Sequence, residues 1–244
     1  MNIVATGFDA LNQKNKEIIV EKKFAVIVAA GSGARMGKPI PKQYLLLNDK
    51  PILLYTLNAF LNAYNDMQII LVVSAEYFDT AETIAESSID KRRIKITTGG
   101  DTRFHSVKNG LAHVEDDSII FVHDAVRCMI TSQLIERCYN EAMMKGNAIP
   151  AIKAIDSMRV ETHHGNVIID RNKVHIIQTP QTFKSSILKK AFDQSYDESF
   201  TDEATVAEMM GEKINLIEGE RNNIKITQPI DLVIAEKILE ISAL

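Results

Sequence analysis

Apolar residues along the chain fall into two patterns, short β-branched runs and longer segments with a helical period. The run FAVIVAA at 24–30 ends at a glycine and is typical of a strand buried on both faces. The longer segment PILLYTLNAFLNAY at 51–64 carries Pro51 at its start, which favours a helix. Further strands are predicted at 68–74, 93–100 and 118–125. Further helices are predicted at 79–89, 106–114 and 131–146, the last beginning at Thr131 or Ser132 and ending before Gly146.

This alternation of strand and helix predicts an α/β fold with a mostly parallel sheet covered on both faces. The segment 157–171 breaks the alternation, because polar and apolar residues alternate there around His-His-Gly-Asn, as in a β-hairpin. A projecting hairpin leaves one face exposed and often needs a partner to cover it. The elements predicted after it are helices at 184–195 and 202–210, strands at 213–218 and 223–227, and a final helix from Pro229 to about 241.

The chain shows no repeat and no linker-like segment that would divide it. We therefore interpret residues 1–22 as an N-terminal extension and residues 23–244 as a single domain. The hairpin arm is expected to cover about 155–172. We expect no second catalytic domain beyond residue 240.

Composition is ordinary for a globular protein, with 45% hydrophobic and 25% charged residues. The net charge of −4 argues against binding to nucleic acid or to a membrane surface, although it is compatible with a local positive cleft for a small polyanion. Cys128 and Cys138 fit neither a zinc pattern nor a redox pair and are expected to be free thiols in a reducing compartment. No segment matches a signal peptide or a membrane span, so we expect a cytoplasmic protein.

Polar clusters follow the predicted strands at their carboxyl ends, where open parallel sheets bind their ligands. The clusters are residues 31–42, 99–106, 123–127 and 179–181, and Lys225 adds a cation near the end of the chain. Brought together, they would surround Asp101 and Asp124 with several arginines and lysines. Such a set beside a glycine loop suits a polyphosphate bound with Mg²⁺, and another divalent cation would suit it as well.

The glycine loop at 31–44, GSGARMGKPIPKQY, matches neither of the common phosphate-binding motifs. The third glycine of a dinucleotide fingerprint is replaced by Met36, and Pro39 stands where a P-loop needs Ser or Thr. A tight turn with solvated cations would explain the glycines alone, but it gives no reason for the PKQY segment that follows. The groups that the loop offers to phosphate oxygens are Gly31, Gly33, Arg35 and Lys42.

Six segments in order resemble the 2-C-methyl-D-erythritol 4-phosphate cytidylyltransferases, which belong to the nucleotidyltransferases that activate sugar or polyol phosphates. The segments are AAGSGARMG…PKQY, TGGDTRFHSVKNGL (98–111), VHDAVR (122–127), DRNKVHIIQTPQTF (170–183), TDEA (201–204) and NNIKIT (222–227). The resemblance as a whole covers residues 24 to 240. The resemblance implies a three-layer Rossmann-like nucleotidyltransferase fold with a mostly parallel sheet. It also implies that the projecting β-hairpin is a dimer arm.

The resemblance further implies transfer of CMP from CTP to 2-C-methyl-D-erythritol 4-phosphate, with release of pyrophosphate, in the non-mevalonate synthesis of isoprenoid precursors. A phosphate oxygen of the acceptor attacks the α-phosphorus in line, a reaction that needs positioning and charge neutralisation more than proton transfer. By analogy with the family, Arg35 and Lys42 stabilise the transition state, whereas Arg171 and Lys225 hold the acceptor phosphate. These four residues form the expected catalytic set.

The same resemblance implies the rest of the site. The residues expected to bind the nucleotide are Ala29, Ala30, Gly31, Gly33, Gly100, Asp101 and Ser106. The residues expected to bind the acceptor are Asp124, Arg127, Ser157, Arg171, Thr179 and Lys225, with Asp124 also near the Mg²⁺. In the family the arm reaches the neighbouring subunit, so we expect a homodimer. Arg171 would then act either in the site of its own subunit or in the site of the other subunit of the dimer.

Three positions depart from the family pattern: Cys128 replaces a proline, Ser157 replaces a threonine, and Val28 replaces the proline of PAAG. None of them removes a charge. The main alternative is a ribitol 5-phosphate cytidylyltransferase, which shares the loop and differs at the acceptor end. A sugar-1-phosphate nucleotidyltransferase would match only the first loop. An NAD(P)-binding oxidoreductase would need an acidic residue soon after the second strand, and the acid found there, Glu76, is too far along the chain. A non-catalytic nucleotide sensor would have lost the catalytic cations, whereas Arg35, Lys42 and Lys225 are all present.

Overall fold

A computed structural model of the chain describes residues 21–31 and 40–242. Residues 1–20, residues 32–39 and the last two residues lie outside the described part. The predicted N-terminal extension therefore falls almost wholly outside it, and its separation from the domain stays a prediction. Gly33 and Arg35 of the glycine loop also lie outside the described residues.

The described residues form an α/β structure built on a mixed sheet. The strands of the described residues, which include two separate two-stranded sheets, β2 with β3 and β8 with β9, are β1 (Lys22–Ala29), β2 (Leu46–Leu47), β3 (Lys50–Pro51), β4 (Met67–Val73), β5 (Ile94–Thr98), β6 (Ser118–Asp124), β7 (Asn147–Lys153), β8 (Met158–Thr162), β9 (Gly165–Ile169), β10 (His175–Ile177), β11 (Gln181–Lys184) and β12 (Leu216–Glu218). The main sheet has the order β10-β7-β11-β6-β1-β4-β5, with β12 also paired to β7. Strands β6, β1, β4 and β5 are mutually parallel, whereas β10 and β11 run antiparallel to β7.

Helices cover both faces of this sheet. They are α1 (Ile52–Ala63), α2 (Phe78–Glu86), α3 (Arg103–Leu111), α4 (Ser132–Lys145), α5 (Ser185–Ala191), α6 (Glu203–Glu208) and α7 (Pro229–Ser242). None of these helices combines the length and the apolar character that crossing a bilayer requires.

The central strand β1 shows why the structure has three layers. Successive side chains of a strand point to opposite faces. Ala25 and Ile27 accordingly pack with residues of α1, α2 and α4 on one face. Phe24 and Val26 pack with residues of α3, α5 and α6 on the other. The three-layer prediction is therefore confirmed, and both cores meet at the strand that leads into the glycine loop.

Local sequence signals set the ends of α4 as predicted. The Thr131 hydroxyl accepts a hydrogen bond from the Leu134 backbone N–H at 3.1 Å, which caps the first turn. Gly146 ends the helix with φ of 90°, a left-handed conformation that L side chains rarely adopt.

The predicted strand at 223–227 is wrong, because this segment pairs with no strand of the described structure. Its backbone is held by a loop, since the Ile226 N–H donates to the Val126 carbonyl at 3.0 Å. Asn223 and Ile226 are fully buried. The alternation of polar and apolar residues therefore reflects a segment packed between a loop and α7.

The predicted hairpin is present as a separate two-stranded sheet. Strands β8 and β9 pair antiparallel from Met158 opposite Ile169 to Thr162 opposite Gly165. Both strands lie within the predicted arm at 155–172. Its role in a dimer stays a prediction.

Candidate active site

A cavity of about 570 Å³ opens at the carboxyl ends of β1 and β6, beside the first turn of α3. Six of the residues predicted to bind a nucleotide line it: Ala29, Ala30, Gly31, Gly100, Asp101 and Ser106. Lys42, Asp124 and Lys225 line the same cavity. The residues predicted from the rule that open sheets bind ligands at strand ends thus lie together around one cavity.

The PKQY segment shapes the beginning of the glycine loop. Lys42 to Tyr44 form a single 3₁₀ turn beside the end of β1. The Gln43 side-chain amide donates to the Ala29 carbonyl at 2.6 Å and to the Gly31 carbonyl at 2.9 Å. Gln43 is buried, so these two bonds fix the direction in which the loop leaves the strand. The same turn places Lys42 on the cavity wall.

The first turn of α3 forms a second wall. Thr102 caps this helix through a hydrogen bond from the His105 N–H to its hydroxyl. The Ser106 hydroxyl donates to the Thr102 carbonyl at 2.9 Å and accepts from the Gly100 N–H at 3.1 Å. A Cβ atom on Gly100 would lie 2.6 Å from the Cβ of His105, so only glycine fits this approach. The turn therefore presents a close-packed backbone surface to the cavity.

Asp124, the last residue of β6, is the acidic centre of the site. Its carboxylate lies 2.9 Å from the Lys225 ammonium and 3.6 Å from nitrogens of both Arg103 and Arg127. Burial alone would raise the pKa of the Asp124 carboxyl, but Arg103 and Lys225 hold it well below its usual range. The site therefore contains a carboxylate that is ionised at neutral pH and surrounded by three cations.

Arg103 connects this carboxylate to a second one. Its guanidinium donates to both oxygens of Glu203, at 3.1 Å for the Nη2–Oε2 pair. Burial would lower the pKa of Arg103, but the carboxylates of Glu203 and Asp124 raise it above its ordinary value. Glu203 is itself fully buried at the start of α6.

His123 and Thr179 support Asp124 from behind. The His123 Nε2 lies 3.2 Å from the Arg127 carbonyl, which can only accept, so Nε2 carries the proton. Its Nδ1 then accepts from the Thr179 hydroxyl at 3.0 Å. That hydroxyl in turn accepts from the Asp124 backbone N–H at 3.2 Å. This chain of hydrogen bonds orders the end of β6, and Thr179 belongs to it rather than to the cavity lining.

We expect His123 to make folding stability depend on pH. Burial lowers the pKa of His123 to about 3, so the unfolded chain binds a proton below pH 6.5 that the folded chain does not bind. Stability contributed by the neutral ring is present above pH 6.5 and is lost as the pH falls towards 3. Urea unfolding should show a loss of about 2 kcal/mol between pH 7 and pH 5 that is absent in His123→Gln.

His163→Asn is the matched control for this prediction, because His163 is exposed at the hairpin turn. It should keep the wild-type dependence on pH. An unchanged dependence in His123→Gln would show that the buried ring is not its source.

Arg127 and Asn223 hold the segment that carries Lys225. The Arg127 Nη1 donates to the Asn223 carbonyl at 2.9 Å. The Asn223 side-chain amide donates to the Thr179 carbonyl at 2.9 Å. Both groups are buried or nearly so, and the segment is thereby fixed against the end of β6 with Lys225 directed at Asp124.

Comparison with known proteins identifies the family. Residues 23–241 match the family described as 2-C-methyl-D-erythritol 4-phosphate cytidylyltransferase. The chain belongs to this family. The enzyme therefore transfers the cytidylyl group of CTP to 2-C-methyl-D-erythritol 4-phosphate in isoprenoid synthesis, and the ribitol 5-phosphate alternative is not favoured.

Relatives of the same description cover nearly the whole enzyme. The cytidylyltransferase of Bacteroides fragilis is 44% identical over 216 residues, which is 88% of this chain and 98% of the relative. That of Bacteroides thetaiotaomicron is 41% identical over 218 residues, covering 89% of this chain and 100% of the relative.

Solved structures agree with this assignment. The 4-diphosphocytidyl-2C-methyl-D-erythritol synthase of Anaerococcus prevotii superposes with a TM-score of 0.77 at 26% identity, covering 90% of this chain and 99% of that one. The cytidylyltransferase of Francisella tularensis superposes with a TM-score of 0.73 at 31% identity, covering 89% of this chain and 99% of that one. The predicted nucleotidyltransferase fold is therefore confirmed.

Four predicted acceptor residues, Arg127, Thr179, Ser157 and Arg171, do not line the cavity of the enzyme, and the last two lie far from Asp124 along the hairpin. Ser157 is exposed immediately before β8. Arg171 is exposed after β9, and its Nη1 donates to the Ile155 carbonyl at 2.6 Å. Both belong to the hairpin arm, which explains why one chain alone does not bring them to Asp124.

The predicted site omitted two residues that the structure makes prominent. Gln43 directs the glycine loop, and the PKQY motif that contains it was a signal for that role. Glu203 carries the second buried carboxylate, and the TDEA motif that contains it contributed only to the family resemblance. The Asp202 side chain of the same motif caps α6, because it accepts from the Thr205 N–H at 2.9 Å.

Proposed function

We propose that cytidylyl transfer takes place in the cavity at the ends of β1 and β6, with the residue roles given below. The observation that supports this proposal is the convergence of Lys42, Asp124 and Lys225 on one cavity, opposite the packed backbone of Gly100. Cations, a carboxylate and accessible backbone are what a bound polyphosphate requires.

The nucleotide is proposed to occupy the walls formed by the glycine loop and the first turn of α3. The residues proposed to contact it are Ala29, Ala30, Gly31, Gly33, Gly100, Asp101 and Ser106. The close packing of Gly100 against His105 holds the backbone of this turn in place at the cavity wall. Arg35 and Lys42 are proposed to contact the phosphates, where the transition state accumulates negative charge.

The acceptor is proposed to lie against the opposite wall. Lys225 binds its phosphate, and Asp124 faces its polyol chain. Arg127 and Thr179 fix these two groups through the contacts described above, and a direct contact of Thr179 with the acceptor stays a prediction. Ser157 and Arg171 are proposed to approach from the arm of a second subunit.

The donor set fits a divalent cation shared with the substrate. Among the described residues, no cluster of three or more His, Cys, Asp or Glu side chains could hold a metal alone. Mg²⁺ commonly binds through one or two carboxylates together with substrate phosphates and waters. Asp124 would hold the ion with phosphate oxygens of CTP, and the ion would then neutralise charge on those phosphates.

The chain's own groups account for the rest of the reaction. A phosphate oxygen of the acceptor attacks the α-phosphorus of CTP, and the bond to the bridging oxygen of the β-phosphate breaks, which releases pyrophosphate. Lys225 holds the attacking phosphate, and Lys42 lies where charge builds at the α-phosphorus. The attacking oxygen is already ionised at neutral pH, so the site needs no general base.

Replacing Lys225 with glutamine tests the acceptor assignment. Loss of a charge-assisted hydrogen bond should raise the KM for methylerythritol phosphate by about tenfold or more, with less than about twofold change in the KM for CTP. Steady-state kinetics with each substrate varied in turn would measure both constants. Lys213→Gln, at an exposed lysine before β12, is the matched control. Equal effects on both KM values would contradict the assignment.

The enzyme is proposed to be a homodimer joined through the hairpin arm. Val160, Val167 and Ile168 of the arm are exposed, and Ile168 is 71% exposed. A second cavity of about 560 Å³ lies beside β12, and Leu216, half-exposed, lines it. Apolar side chains on an arm and a groove of mixed polar and apolar lining on the body suit the two parts of a two-fold interface. The arm of a partner subunit would fill this groove with its apolar side chains and would bring its arginine towards the active site.

Mixing two inactive variants tests whether Arg171 acts across the dimer. In a mixed dimer, one subunit carries Arg171→Ala and the other carries Lys42→Met. If the arm supplies Arg171 to the partner's site, both defects fall in the same site and the other site is intact. Random assembly from equal amounts would then restore roughly a quarter of the wild-type activity.

Activity that stays at background in the mixture would place Arg171 in its own subunit's site. A monomeric mass in solution would contradict the dimer itself.

We also propose that the enzyme acts in the cytoplasm, where CTP is made and where the two free, buried thiols would stay reduced.

A further inference from the structure

Glu203 has a buried carboxylate to which the proposed reaction assigns no role. Its side chain is 0% exposed, and both carboxylate oxygens accept from Arg103. A fork-like pair of this kind is among the strongest interactions available to an arginine. A buried charge is costly unless it is paired, so each member of this ion pair stabilises the buried charge of the other.

Arg103 lies at an electrostatically unfavourable position. It is the first residue of α3, where the helix dipole is positive and cations are disfavoured. It also lines the active-site cavity, which already contains Lys42 and Lys225. Capping by Thr102 fixes the helix without any help from the arginine. Helix formation therefore gives no reason for a cation here.

One nitrogen of Arg103 is shared between two carboxylates. Its Nη2 lies 3.1 Å from Glu203 Oε2 and 3.6 Å from Asp124 Oδ1. The first separation is a hydrogen bond, and the second exceeds hydrogen-bond distance. A shift of about 0.5 Å would close the second contact. The position of Arg103 is thus set by the competition between Glu203 and Asp124.

We infer that Glu203 is a positioning residue that holds Arg103 away from Asp124 and leaves the Asp124 carboxylate available to a divalent cation. The inference rests on the proposed role of Asp124. With Glu203 present, the charges of Arg103 and Glu203 offset each other. Within the part of the chain that the structure describes, Lys225 makes the close contact with Asp124 at Oδ2, which leaves Oδ1 to the cation. Without it, Arg103 closes on Asp124 and competes with the cation.

The loop that carries Glu203 is anchored independently of its side chain. The Gln181 amide donates to the Asp202 carboxylate at 2.8 Å, and its oxygen accepts from the Ala204 N–H at 2.7 Å. Glu203→Gln keeps the size of the side chain and removes only its charge and one acceptor. This variant therefore changes the position of Arg103 with little effect on the loop.

The test measures binding of Mn²⁺, as a probe, to the CTP-bound enzyme by electron paramagnetic resonance, without acceptor and without turnover. Glu203→Gln should weaken Mn²⁺ binding about tenfold, while CTP binding without metal changes less than about twofold. Glu208→Gln, an exposed glutamate of the same helix, is the matched control and should bind Mn²⁺ like the wild type.

The double variant Arg103→Gln/Glu203→Gln separates positioning from a merely structural role. It removes the competing guanidinium together with the buried charge, so Mn²⁺ affinity should recover most of the loss. A structural role would make the double variant as weak as the single one or weaker, and that result would overturn the inference. The double variant also serves if Glu203→Gln alone fails to fold, because it leaves no unpaired buried charge.

Asp124→Asn distinguishes this inference from the proposed function on which it rests. If Asp124→Asn weakens Mn²⁺ binding and Glu203→Gln does not, the inference alone is overturned. If Asp124→Asn leaves Mn²⁺ binding unchanged, the metal assignment is overturned and the inference is overturned with it.

Discussion

Lys42→Met is expected to lower kcat about 100- to 1,000-fold, because removing a preorganised charge from the transition state has effects of this size. Lys42 is held on the cavity wall by a 3₁₀ turn whose neighbour Gln43 is bound to the end of β1. Its backbone is therefore positioned before the reaction begins. Methionine keeps most of the apolar side chain and removes the charge, so folding should be preserved. Rapid-quench measurement of product formation at saturating substrates would determine kcat.

Lys95→Met is the matched control for Lys42→Met, since Lys95 is exposed on β5 outside the cavity. It should leave kcat unchanged. A Lys42→Met enzyme that is folded and retains wild-type kcat would mean that the phosphates bind elsewhere. A change confined to the KM for CTP would mean that Lys42 contributes to ground-state binding of CTP and does not stabilise the transition state specifically.

Asp124→Asn is expected to abolish turnover and to destabilise the fold by about 3 to 5 kcal/mol. Removing this carboxylate charge leaves Arg103, Arg127 and Lys225 without the group that all three face. Activity falls because the proposed cation loses its protein ligand. Urea unfolding at pH 7 would measure the stability change, and Asp193→Asn at an exposed site would serve as the control.

The stability contributed by Asp124 should depend on pH in a defined direction. Its folded pKa lies well below the ordinary value of 3.8, so the stabilisation is present above about pH 4 and is lost as the pH falls further. Wild-type stability should therefore decrease below pH 4 more steeply than that of Asp124→Asn. Equal stability of the two proteins at pH 7 would contradict the buried charge cluster.

Sequence patterns predicted the parallel half of the sheet because β-branched runs alternate there with helical segments. They missed β7, where Pro150 lies within the strand and lacks the N–H that an interior strand normally donates. They assigned a strand to 223–227 because alternation alone does not distinguish strand pairing from a segment buried against a loop. In both cases long-range packing decided the structure.

The site divides in the same way. Lys42, Gly100 and Asp124 could be placed together because each lies at or after the carboxyl end of a strand, on one edge of the sheet. Glu203 could not, because its contact with Arg103 joins residues far apart in the chain and depends on how α6 packs against α3. The role of Arg171 could be assigned only from the sequence motif, because the hairpin places this residue away from the cavity of its own chain.

The central claim is that this cavity transfers the cytidylyl group of CTP to methylerythritol phosphate. The most direct test supplies CTP and Mg²⁺ with methylerythritol 4-phosphate or ribitol 5-phosphate separately and measures pyrophosphate release by the wild type and by Lys42→Met. We predict release with methylerythritol phosphate that Lys42→Met loses, and little release with ribitol phosphate. Release with ribitol phosphate alone, or release that Lys42→Met retains in full, would contradict the account.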